Sequence, residues 1–189
     1  MHISKVCSKA RQQLGLLYRQ FYGDSNTTTL KALYITQVRP YLEYAIPVWE
    51  PHLSKDFEAL ESVQRFASRM CTRQWRDVGY EDRLKLMNIE SLRSRRVQLK
   101  LCYLYKIING QSYFANSPLT LFSSTYNTRS HSLTLNVPFT RSVNSFNSFF
   151  CHTARMWNQL PFEVVSSQSF LSFKRAVRNN TPALVSYPV

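Results

Sequence analysis

The sequence predicts a mainly α-helical protein: a helical, bundle-like first part, a loop-rich connector and a short C-terminal helical pair. Three observations carry this. Apolar residues recur at steps of three and four through most of the first 110 residues, the period of a helix with one buried face. Ser, Thr, Asn and Pro then dominate from Gln111 to Asn144, where no helical period survives. Helical spacing resumes near Ser145. The organisation is therefore residues 1–110, a connector over 111–144, and a helical segment over 145–189. Of the 189 residues, 44% are apolar and 14% aromatic, enough for a packed core.

The first helix runs from about Ser4 to Phe21, with Ile3, Val6, Ala10, Leu14, Leu17 and Phe21 on one side. Gly23-Asp24-Ser25-Asn26 is a loop signal. A second helix starts near Thr27–Thr29 and carries Leu30, Leu33, Tyr34 and Val38. Pro40 lacks a backbone donor, so a kink or restart is expected there. Tyr41–Ala45 continues as helix and ends before Pro47. The third helix spans about Ser54–Thr72 or beyond, with Ser54 as N-cap and acids in its first turn, where the dipole favours them. Phe57, Leu60, Val63, Ala67 and Met70 form its apolar face. A short helix over Tyr80–Met87 follows. The next, Ser91–Asn109, carries Val97, Leu101, Leu104 and Ile108 on one face and stops at Gly110.

The connector reads either as mobile or as an ordered loop packed by Phe114, Phe122 and Tyr126. Leu133–Val137 alternates like a short strand. A helix from Ser145 places Phe146, Phe149, Phe150, Ala154 and Trp157 on one side and ends at Leu160-Pro161. A last helix covers about Ser169–Arg178, with Phe170, Phe173 and Val177 inward.

Lys and Arg total 24 against 11 Asp and Glu, a formal charge of +13. The excess is uneven. Residues 91–189 hold 11 Lys/Arg and one acid, Glu163. Such a balance favours a polyanionic partner and says little about fold. Four Gly leave little room for a Gly-rich nucleotide loop, and the four Cys lie too far apart for a metal knuckle. No cofactor or metal is expected. No apolar run approaches ~18 residues, so no membrane span is expected. The start lacks the apolar stretch of a secretory signal, which makes a reducing intracellular compartment, cytoplasmic or nuclear, the default.

The functional signal lies in two basic helix faces. Arg65, Arg69, Arg73 and Arg76 are spaced 4, 4 and 3, opposite the apolar face if the helix continues that far. Arg93, Arg96 and Lys100 flank the apolar face of the later helix. Arginine every three or four residues can reach the phosphate rows of a duplex, and its planar fork fits phosphate oxygens. A solvated surface is the competing reading, and the two stand about even. The aromatic residues, Trp49 and Trp157 among them, read mainly as core. Cys151-His152 lacks the partners a zinc site needs.

The ordered series of short blocks resembles the C-terminal, post-palm region of reverse transcriptases from LINE-type (non-LTR) retrotransposons. The blocks include Val38-Arg39-Pro40-Tyr41-Leu42-Glu43-Tyr44-Ala45 with Val48-Trp49, and Leu60-Glu61-Ser62-Val63-Gln64-Arg65-Phe66-Ala67. Leu104-Tyr105-Lys106-Ile107-Ile108-Asn109-Gly110 and Trp157-Asn158-Gln159-Leu160-Pro161 continue the series. The resemblance covers about residues 2–178. It implies a helical thumb that grips a template–primer duplex, RNA–DNA or DNA, by its backbone, and a palm domain as partner. The family's palm Tyr-x-Asp-Asp motif is missing, and no paired aspartates occur, so no polymerase or other enzymatic activity is expected of this chain. Arg65, Arg69, Arg73, Arg93, Arg96 and Lys100 are the expected nucleic-acid contacts, with no catalytic residue. Glu43 and Glu61 read as ion-pair partners of nearby Arg. The alternative is a structural relic, or a host-recruited module that binds protein.

Overall fold

The computed structural model of the chain describes residues 2–21, 23, 26–49, 51, 53–74, 76–112, 119–121 and 133–185. It is mainly helical, as the spacing predicts. The chain divides into two compact units, Met1–Arg95 and Arg96–Val189. The division falls inside a helix, before the break expected at Gly110.

The first unit contains α1 (His2–Gln20), α2 (Thr27–Leu33), α3 (Arg39–Glu43), α4 (Ile46–Trp49), α5 (Ser54–Thr72) and α6 (Tyr80–Leu86). It ends in the first turn of α7 (Leu92–Ile108). α1 packs on α5 and α3, and α5 also packs on α2 and α6. Cys7, Ala10, Leu14 and Leu17, at steps of 3, 4 and 3, meet Leu60, Val63, Ala67 and Met70, at the same steps. Each Leu in this cluster is nearly fully buried and contributes on the order of 1.5–3 kcal/mol.

Pro40 acts as expected, with a specific device. Residues Tyr34–Val38 form one π turn, in which the Arg39 N–H reaches back to the Tyr34 carbonyl. The widened turn shifts the helix register, so Pro40 falls in the first turn of α3, where its missing donor costs nothing. Tyr44 is extended and Ala45 takes a left-handed φ of 53°. The chain then re-enters a helix through Pro47 in α4, where the sequence suggested an end. α5 begins one residue after its N-cap, which is Leu53 and not Ser54. The Leu53 carbonyl accepts from Asp56 at 3.0 Å.

Gln64 is fully buried in α5 and joins three elements. Its Oε1 accepts from the Tyr34 hydroxyl at 2.7 Å. Its Nε2 donates to the Tyr80 hydroxyl at 3.1 Å and to the Glu90 carbonyl at 2.9 Å. Tyr80 in turn donates to Glu61 Oε1 at 2.5 Å, and the same oxygen accepts from the Leu92 N–H at 3.3 Å. Glu61 therefore caps α7, a different role from the ion pair expected. Burial raises its pKa, opposed by the Tyr80 hydrogen bond. Burial also pushes the Tyr34 and Tyr80 hydroxyls upward, so both remain donors. Glu43 does pair: Arg95 Nε and Nη2 reach its two oxygens at 2.5 and 2.9 Å, with Arg39 at 3.6 Å.

The second unit holds the rest of α7, then α8 (Val143–Phe146), α9 (Phe149–Asn158), α10 (Phe162–Val165) and α11 (Phe170–Val185). Gly110 stops α7 with a φ of 66°. The single helix expected from Ser145 is two, broken at Asn147-Ser148, and α10 is an element the spacing did not suggest. Val97, Leu101 and Leu104 pack with Ala154, Trp157, Phe173 and Val177. Tyr105 stacks on Phe173 at 4.4 Å and donates to the Ser167 carbonyl at 2.8 Å. Among the described residues, the expected strand at Leu133–Val137 is reduced to one bridge between Leu121 and Leu135. The Asn158 amide adds to this pairing, bonding the Leu135 N–H and carbonyl at 2.9 Å each. Phe114, Phe122 and Tyr126 lie outside the described residues. The four Cys are free and buried, and pack as small apolar residues.

Replacing Gln64 with Leu leaves the two tyrosine hydroxyls and the Glu90 carbonyl without their amide partner. The expected loss is about 2–3 kcal/mol, a fall of roughly 5–10 °C in Tm. A thermal melt followed by circular dichroism checks it.

Candidate nucleic-acid interface

The six expected contact residues separate into three settings. Arg65 and Arg69 lie on α5 and line a groove of about 520 Å³ against α1. Arg73 does not extend that row: α5 ends at Thr72, and Arg73 takes a left-handed φ of 58°. Its Nη2 donates to the Phe21 carbonyl at 3.2 Å, and its side chain stays exposed. Arg76 follows in a bend. Arg93 is exposed on α7, with its guanidinium 5.7 Å from the Phe57 ring centroid.

Arg96 and Lys100 are corrections. They are 1% and 2% exposed, so no solvent-facing basic row runs along α7. Apart from Arg93 and Ile108, the residues of α7 are buried or half-buried, and a helix embedded on most sides has no free face for phosphates. Lys100 Nζ lies 3.2 Å from His152 Nδ1. Burial, with Lys100 and Arg155 nearby, pushes the His152 pKa down to about 3. The imidazole is therefore neutral, and Nδ1 accepts from the Lys100 ammonium.

The groove between α1 and α5 has one cation that the spacing of α5 did not reveal. Arg11 of α1 lines it together with Arg65 and Arg69. Arg11 Nη2 donates to Ser62 Oγ at 2.9 Å, which sets it across the seam from α5. Arg65 has Glu58 at 3.4 Å and stands 5.3 Å from the centroid of the Tyr80 ring. The Glu58 pair is solvent-exposed and worth little. Behind the groove, Arg83 is buried and donates from Nε to Ser68 Oγ at 3.1 Å and from Nη1 to the Val78 carbonyl. Burial first, then the charge of Arg69 and, less strongly, that of Arg65, lower its pKa, opposed by Tyr80. Phe66 is 39% exposed at the groove and meets Tyr18 edge-on at 6.4 Å. A Cβ on Gly15, also in the lining, would meet nothing within 4 Å.

Such a groove suits a phosphodiester backbone: three arginines line it, and among its described lining residues there is no carboxylate. Among the described residues no cluster of His, Cys, Asp or Glu could hold a metal ion. No described helix is long and apolar enough to cross a membrane.

No family model matches the chain, and no solved structure does. An uncharacterized protein of Caenorhabditis elegans is 28% identical over 115 residues, 60% of this chain. The chain spans 58% of that relative's length.

The His152 contact has a consequence for stability. Its folded pKa lies below the ordinary value of 6.5, so the unfolded chain binds more protons between pH 6.5 and about 3. The contribution of His152 is complete above pH 6.5 and is lost as the pH falls through that window. His152→Gln keeps an acceptor for Lys100 and does not titrate. Between pH 7.5 and 5.0 its Tm is expected to fall less steeply than that of the unaltered protein, measured by paired melts.

Proposed function

We propose that this chain is a non-catalytic, thumb-like part of a non-LTR retrotransposon reverse transcriptase, and that the α1–α5 groove grips the backbone of a template–primer duplex inside the cell. The observation that supports this reading most is that Arg11, Arg65 and Arg69 line one groove with no carboxylate among its described lining residues. Gly15 adds to it. Glycine weakens a helix interior by about 1 kcal/mol relative to alanine. Space for a methyl is present, so packing does not require the glycine. A smooth helix surface at that point admits a close approach by a backbone.

The chain carries no polymerase chemistry in this reading, because the paired aspartates that hold divalent metal for nucleotidyl transfer are missing from its sequence. Arg93 and Arg73 supply further phosphate contacts at the margins of the first unit. Arg96 and Lys100 contribute to folding of the second unit and touch no nucleic acid.

Binding of a labelled RNA–DNA primer–template hybrid across a salt series tests the proposal. The logarithm of affinity is expected to fall steeply with the logarithm of salt concentration. Replacing Arg11, Arg65 and Arg69 together with Gln should lower that slope by about 2–3 and weaken binding roughly a hundredfold at low salt. Replacing the exposed Lys174 and Arg175 of α11 with Gln serves as control and should change it far less. A folded triple variant with unaltered slope and affinity overturns the assignment of the groove. A folded protein that binds no hybrid leaves the relic or the protein-binding module.

A further inference from the structure

α1 has a second groove on its other side, of about 490 Å³. His2 and Lys9 of α1 line it, with Tyr41 of α3, Tyr44 and Trp49. At 100° per residue, His2, Val6 and Lys9 lie on the opposite side of α1 from Arg11, Leu14 and Gly15. The π turn forms part of the wall through Thr36 and Gln37. Tyr41 is 45% exposed and Tyr44 80% exposed, unusual for rings that the sequence suggests as core.

We propose that this groove holds unpaired nucleotides of the bound nucleic acid, stacking their bases on Tyr41, Tyr44 and Trp49 while Lys9 meets the adjoining phosphate. The inference rests on the nucleic-acid reading above and extends it from the paired to the single-stranded part of the ligand. Two observations select this occupant. The first is charge. α1 carries Lys5, Lys9, Arg11 and Arg19 and no acid, and the described lining of the groove holds Lys9 and no carboxylate. A polyanion can therefore pass from one groove to the other over α1 without meeting a repelling group on that helix. The second is the indole. Trp49 Nε1 already donates to the Tyr44 carbonyl at 2.6 Å. The indole N–H is thereby engaged, and is not the donor that a proline-rich peptide's carbonyls would need. His2 meets Trp49 edge-on at 5.0 Å and braces that ring. Stacking of this kind tolerates any base, since every base has a π face.

The test compares three probes on the full chain: a blunt RNA–DNA hybrid, the same hybrid with a five-nucleotide single-stranded flank carrying 2-aminopurine, and the flank as a free ten-nucleotide strand. The flanked hybrid is expected to bind about tenfold more tightly than the blunt one, with quenching of 2-aminopurine. Tyr41→Ala with Tyr44→Ala should abolish that gain and the quenching, leave blunt-hybrid affinity unaltered, and be rescued by the corresponding Phe substitutions. Lys9→Gln should reduce the salt dependence of the free strand. Equal affinity for blunt and flanked hybrids overturns the groove's assignment while leaving the duplex grip intact. Loss of blunt binding alone, with the free strand still bound and quenched, does the reverse. Failure of the free strand to bind, together with capture of a proline-rich peptide that Tyr44→Ala releases, assigns the groove to protein.

Discussion

The first unit depends on one buried amide. Gln64 sits among the apolar residues of α5, where an unpartnered side-chain amide would cost several kcal/mol. Its partners come from the π turn, from α6 and from the residue leading into α7, elements distant in sequence. Satisfying it therefore fixes where those elements lie relative to α5. Tyr80 passes the constraint on to Glu61, which in turn holds the N-terminus of α7. Apolar contacts supply most of the stability, but they tolerate sliding. The hydrogen bonds of Gln64 do not, because a shift of an ångström or two leaves a buried donor or acceptor without a partner.

The two basic helices show how burial decides the use of a charge. On α5, the apolar residues occupy one side and Arg65 and Arg69 reach the groove. On α7, the same spacing of cations meets a helix enclosed on most sides, and Arg96 and Lys100 go inside with it. An ammonium in that setting needs acceptors. The imidazole of His152 supplies one lone pair, at the cost of its own basicity. Charge in the second unit is thus partly a structural component, and only part of the net +13 is available to a ligand.

The helices were legible because a period of three and four survives in sequence wherever one side of a helix is buried. Pro40 and Gly110 were legible because each has a fixed backbone consequence. The π turn was not, since it arises from fitting Pro40 to the register that Tyr34 needs to reach Gln64. Leu133–Val137 alternates like a strand, yet its backbone is met by the side chain of Asn158, a partner that no local pattern announces. At the site, Arg65 and Arg69 could be read from α5 alone. Arg11 could not, because its relevance comes from the packing of α1 on α5. The signal was present only as the steps of four and three that join Arg11, Gly15 and Tyr18. Arg96 and Lys100 misled for the converse reason: spacing gives an angle around a helix and does not say how many sides the fold encloses.

On the proposed reading, the charges of α1 serve binding more than folding. Its buried residues, Cys7, Ala10, Leu14 and Leu17, suffice to seat it on α5 and α3. None of its four cations forms an ion pair among the described residues. A helix of 19 residues that needed only solubility would be served equally by acids, and acids in its first turn would also favour the dipole. α1 has none there or anywhere along its length. Four like charges on one helix repel one another, a modest cost that a neutral or mixed surface would avoid. A bound polyanion turns that repulsion into attraction, which is the condition under which such a surface becomes favourable.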